Sequence, residues 1–73
     1  MARIKGIDSH GKVHWLREIR GLASTDFVWS DEIHASQMPL HSAKHLISRI
    51  TQMNRYVDPD DRIEPVLVKE FSL

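Results

Sequence analysis

Apolar residues in the middle of the chain recur at helical spacing: Leu40, Ala43, Ile47 and Ile50, with Leu46 and Met53 one position round. That spacing places them on one face of a helix over residues 40–54. The opposite face carries His41, Lys44, His45, Ser48, Arg49 and Gln52, with no acid among them. Such a helix buries one side and presents a basic one. Pro39 stands where its first turn begins, a position at which the fixed φ and missing N–H of proline cost nothing.

On either side the pattern changes to that of strands. Residues 2–7 and 12–19 are β-prone runs flanking Asp8-Ser9-His10-Gly11, whose Asp and Gly suit a tight hairpin. In the second run Val13, Trp15, Arg17 and Ile19 alternate with His14, Leu16, Glu18 and Arg20. The side bearing Val13, Trp15 and Ile19 reads as the core side, with Arg17 as its misfit. Residues 21–26 read as a turn, and Phe27-Val28-Trp29 as a third strand. Ser30-Asp31-Glu32 offers a cap and two acids for a single helical turn through Ile33. After the helix, 55–57 lead into an acidic turn, Asp58-Pro59-Asp60-Asp61, and 63–71 form a last strand with Val66, Leu67, Val68 and Phe71. Pro65 cannot donate to a ladder and pushes that strand toward a sheet edge. The expectation is one α+β domain spanning residues 1–73, in the order β-β-β-α-β: a mostly antiparallel sheet of three to four strands with one helix packed on one face.

Composition narrows the setting. A chain of 73 residues has room for a single core and buries only about three-fifths of its unfolded surface. It has no cysteine, so disulfides and thiolate metal sites are excluded as staples, which leaves self-association. Ile4, Trp15 and Leu16, beside Arg17 and Glu18, are the expected contact surface of a homodimer. No apolar run approaches the roughly 20 residues of a membrane span, and the N-terminal residues lack the apolar stretch of a secretory signal, so the chain reads as cytoplasmic. Ten basic and ten acidic residues balance to zero, which argues against a protein built to coat nucleic acid. The charges are unevenly spread. Arg3, Lys5, Lys12, Arg17 and Arg20 outnumber Asp8 and Glu18 early in the chain, and acids gather at Asp26, Asp31 and Glu32 and again at Asp58, Asp60, Asp61 and Glu64.

Candidate chemistry is thin. His41 and His45 stand i, i+4 on the helix and could share a zinc ion with His34 or an acid. No glutamate lies between them and Lys44 does, so they read as solvated surface histidines. Asp58, Asp60 and Asp61 could gather a hard cation, but Pro59 and the lack of a following Gly and Glu at calcium-loop spacing make a solvated turn the better account. A His with one of the acids could serve acid–base catalysis. Without a nucleophile elbow, a phosphate loop or a paired-carboxylate motif, the chain reads as a non-enzyme that requires no cofactor. Trp15, Trp29 and Tyr56 could stack nucleobases beside Arg3, Lys5, Lys12 and Arg17, although a chain with five aromatics spends its tryptophans first on a core or an interface.

Trp29-Ser30-Asp31, then Ala35, Met38, Ala43 and Ile47, closed by Val66-Leu67-Val68, resembles a layout found in small accessory proteins of phages and prophages. In that layout an aromatic strand ends at a Trp, a helix packs its alanine-bearing face on the sheet and a valine-rich strand closes the chain. Met38 stands where the layout more often has Phe. The resemblance implies a protein that binds and modulates a host protein. The expected role is therefore a non-enzymatic protein-interaction module, with Trp15, Arg17, Lys44, His45 and Arg49 as its partner-binding residues. A small nucleic-acid-binding module, using the basic helix face and exposed aromatics, is the alternative.

Overall fold

The computed structural model describes residues 1–20 and 26–70. Four strands and one helix follow one another as β1 (Ala2–Asp8), β2 (Val13–Arg20), β3 (Asp26–Ser30), α1 (Leu40–Asn54) and β4 (Ile63–Lys69), with short 3₁₀ turns at Glu32–His34 and Pro59–Asp61. The strands form one antiparallel sheet in the order β3-β2-β1-β4. This is the small α+β fold, β-β-β-α-β, that the hydrophobic pattern predicts. The helix begins after Pro39, and Pro65 lies on an edge strand, opposite Gly6. The expected turn at residues 21–25 and Phe71 lie outside the described residues. Among the described residues no helix is long and apolar enough to cross a membrane.

The first hairpin closes as its sequence requires. Asp8 Oδ1 accepts the backbone N–H groups of His10 and Lys12, each at 2.9 Å. Gly11 takes φ +80°, a conformation that glycine adopts without steric cost. The 3₁₀ turn after β3 is capped by Asp31, one residue later than Ser30: its Oδ1 accepts the His34 N–H at 3.1 Å.

The core face of β2 differs from strict alternation. Leu16 is 1% exposed while Val13 is 44% exposed, so Leu16 faces the helix and Val13 and Trp15 face away. Up to Leu16 the strand alternates, with its odd positions on the side away from the helix; a register shift at Arg17, where Leu16 pairs with Trp29 and Glu18 with Val28, then brings Ile19 to the Leu16 side. One extra residue in β2 turns both Leu16 and Ile19 to the helix side, where period-2 reasoning places only one of them. The misfit arginine thus marks the bulge. The buried core is Ala2, Ile4, Leu16, Ala43 and Ile50, flanked by Phe27, Trp29, Met38, Leu46, Ile47 and Leu67. Ile4 and Leu16 are therefore unavailable as a dimer surface, which corrects that expectation.

Two packing details shape what remains exposed. Gly6 lets the Trp29 indole reach from edge strand β3 over β2 onto β1: a Cβ at Gly6 would lie 2.6 Å from that ring and 2.4 Å from Ile63 Cγ2. At the other end β1 and β2 diverge, and residues 36–38 fill the wedge. Ala2 and Met38 exchange backbone hydrogen bonds of 2.7 and 2.9 Å, the Ser36 N–H donates to Leu16 O at 2.9 Å, and Ser36 Oγ donates to Arg17 O.

Candidate functional site

The helix packs on β4 and β1. An α-helix is about 10 Å across and strands lie about 4.8 Å apart, so one helix covers two strands. Among the described residues no second α-helix lies over the β2–β3 half of the same face. Two clefts of about 260 and 270 Å³ lie there. Phe27 and Trp29, with Ile50 and Met53 of α1, line the first; Leu16 and Ile19, with Ser42 and Leu46, line the second. Leu16 pairs with Trp29 and Ile19 with Phe27 across the strands, and Leu46 precedes Ile50 by one helical turn. Both clefts lie along the side of α1 that faces β2 and β3, and together they make up the groove beside α1. Asp26, Asn54 and Asp61 stand at one end, Arg17, Glu18 and Gln37 at the other.

The sheet face away from the helix carries Arg3, Lys5 and Ile7 of β1, Val13 and Trp15 of β2, Val28 of β3 and Val66 and Val68 of β4, by the pairing register. At its centre the Arg3 guanidinium lies over the Trp15 ring, 4.6 Å from the centroid. Glu70 and, at 3.5 Å, Glu32 pair with the same guanidinium. Cation–π attraction and the two carboxylates hold the guanidinium against the indole.

The residues expected to bind a partner are divided among these surfaces. Trp15 belongs to the open sheet face and Arg17 to the rim of the groove. Lys44 and His45 are exposed on α1, while Arg49 is half-buried and engaged in contacts of its own. The structure does not unite the five in one site. Sequence alternation missed the groove, because it assigned Leu16 to the wrong face. The available signal was Arg17, a charged break in an apolar period, together with Gly6 in the interior of an apolar strand.

The histidines are partly accounted for. His14 Nε2 donates to Asp8 Oδ2 at 2.9 Å, and with the backbone N–H of Lys12 and of His10 it holds the Asp8 carboxyl down at about 2 despite desolvation. His34 Nδ1 bonds Asp31 Oδ1 at 2.5 Å and lowers that carboxyl in the same sense. Both histidines close turns. Among the described residues no three His, Asp or Glu side chains gather closely enough to hold a metal ion. Ser9 Oγ, the hydroxyl nearest in sequence to the Asp8–His14 pair, is spent on Asp60 O at 2.7 Å.

Comparison with protein-family models, with curated proteins and with solved structures finds no match to this chain, so the surfaces themselves carry the functional argument.

Proposed function

We propose that this chain is a non-enzymatic protein-interaction module that receives an amphipathic helix of a partner protein in the groove beside α1. The observation that carries the reading is the half-covered sheet: four strands, one helix over two of them, and an apolar groove over the other two. A second helix laid there would complete a two-layer domain and meet the half-buried Ile19, Phe27 and Trp29 below and Leu46 and Met53 beside it, over a floor closed by the buried Leu16 and Ile50. The acids at one end and Arg17 at the other favour a ligand helix with a basic and an acidic terminus. The resemblance to phage accessory proteins makes a host protein the class of partner.

A nucleic-acid ligand draws less support. Stacking and phosphate contacts need free rings and cations on one surface; Arg3, over the Trp15 ring, is already paired with Glu70 and Glu32, Trp29 packs against the core, and the basic face of α1 lies on the other side of the sheet.

Photo-crosslinking distinguishes these surfaces. A benzoylphenylalanine at position 42, inside the groove, should capture one protein species from cells expressing the chain, and one at position 48, on the exposed side of α1, should not. Equal capture from both positions, or capture from position 48 alone, would refute the groove.

A further inference from the structure

The open sheet face is built to be covered. A sheet face that meets water is normally polar at alternate positions. Here Phe27-Val28-Trp29 and Val66-Leu67-Val68 are apolar on both sides of their strands. Phe27, Trp29 and Leu67 pack toward the helix. Val28, Val66 and Val68 are left for the other face, with Ile7, Val13 and Trp15 beside them. Among the described residues no strand or helix lies over them, and Val13 and Val66 remain 44% and 36% exposed.

We infer that a second copy of this chain covers that face, forming a two-fold dimer in which two sheets stack. Charge names the occupant. Arg3 is neutralised by Glu70 and Glu32, and Glu18 pairs with Arg20 at 2.6 Å. On this face of β1 and β4 that leaves Lys5 and Glu64, one cation and one anion, neither with an ion-pair partner among the described residues; Asp26, also without one, stands at the end of edge strand β3. Lys5 and Glu64 stand on adjacent strands: Lys5 is opposite Val66, and Glu64 opposite Ile7. A two-fold axis between stacked sheets, bisecting the line from Lys5 to Glu64, exchanges the two positions. Each copy then lays its Lys5 on the other's Glu64, twice over. The Lys5 and Glu64 pair is complementary to its own copy, and a chain of zero net charge has no long-range repulsion between copies.

The size of the face sets the strength of the contact. Four strands about 4.8 Å apart, each about seven residues long at about 3.3 Å per residue, make a face of roughly 19 by 23 Å. Stacking two copies buries on the order of 1,000 Å² in total, the low end for a specific interface. Trp15, with the Arg3 guanidinium over its ring, lies within that face on β2 and offers it an aromatic anchor. The groove beside α1 lies on the opposite side of the sheet and stays open in the dimer.

Sedimentation velocity across the micromolar range tests the inference with charge exchange. Lys5→Glu makes the charges at positions 5 and 64 both negative, and Glu64→Lys makes them both positive. Each alone should weaken self-association by at least about tenfold, as facing like charges repel. The double variant should restore it, and an equimolar mixture of the two single variants should form heterodimers. Because neither residue has an ionic partner within the monomer, a folding defect would not be repaired by mixing. Monomer mass for the wild type at all concentrations would overturn the inference. So would a dimer that both single variants form as tightly as the wild type, which would place the contact on another surface. Loss of dimerisation leaves crosslinking from position 42 unaffected, so failure of this inference and of the groove reading are separable.

Discussion

Replacing Gly6 by alanine probes the central packing arrangement with one methyl group. The new Cβ would stand 2.4 Å from Ile63 Cγ2 and 2.6 Å from the Trp29 ring, on a backbone whose φ is ordinary for an L residue. Two effects oppose each other. Relieving a strand glycine of its excess freedom in the unfolded chain stabilises by about 0.4–1 kcal/mol. An overlap of about 1 Å with two packed side chains, neither a flexible tip, costs about 1–3 kcal/mol as overpacking. Overpacking wins, and the net loss is about 1–2 kcal/mol, a sizeable part of the roughly 4–11 kcal/mol available to a domain of 73 residues. In a thermal melt that is a drop in Tm of about 4–16 °C, at about 4–8 °C per kcal/mol for this chain length. Trp29→Phe shortens the ring that meets the methyl, so the double variant should lose at least about 0.5 kcal/mol less than the sum of the singles. A Gly6→Ala protein as stable as the parent, or additive behaviour in the double variant, would show that the indole does not lie on β1.

Ile50→Ala removes the helix residue that is 4% exposed and should cost about 2–4 kcal/mol in urea unfolding, with Ile47→Ala, only half-buried, costing less; the reverse order would mean that the helix is rotated about its axis. Stability should also depend on acid through Asp8. Its carboxyl is held at about 2 in the fold, first by the His14 hydrogen bond, against roughly 3.9 when unfolded. The contribution is complete above the unfolded value and is lost as pH falls from there through the folded one. Chemical denaturation between neutral pH and about pH 2 should show this loss, and Asp8→Ala should flatten the acid limb; an unchanged limb would exclude Asp8 as its source.

Element order was legible because it depends on features that act locally. The Asp8 to Gly11 turn, the apolar stripe of 40–53 and the edge position of Pro65 each follow from neighbouring residues. The facing of β2 depended on whether the chain alternates without interruption from Val13 to Ile19, and the bulge at Arg17 is stabilised from a distance, by Ser36. The candidate sites were hidden for the same reason. The groove exists because α1 settles over β4 and β1 and not over β2 and β3, and the Arg3–Trp15 contact exists because Arg3 is drawn to Glu70 from the far end of the chain. Neither partnership has a local signal.

The wedge of residues 36–38 between β1 and β2 has a consequence for how the chain reaches its fold. It restricts the first hairpin to the pairs Lys5 with Trp15, Gly6 with His14 and Ile7 with Val13, and a two-stranded ribbon that short is at best marginal in water. The remainder of β1 is held by residues that arrive later in the chain: Met38 on one side, and β4 on the other, where Met1 and Glu70 meet across 69 positions. The turn nearest the N-terminus therefore cannot act as an independent nucleus. Chain closure across nearly the full length must accompany the formation of β1, which places this small protein among the slower folders of its size, in the millisecond to second range set by non-local strand pairing.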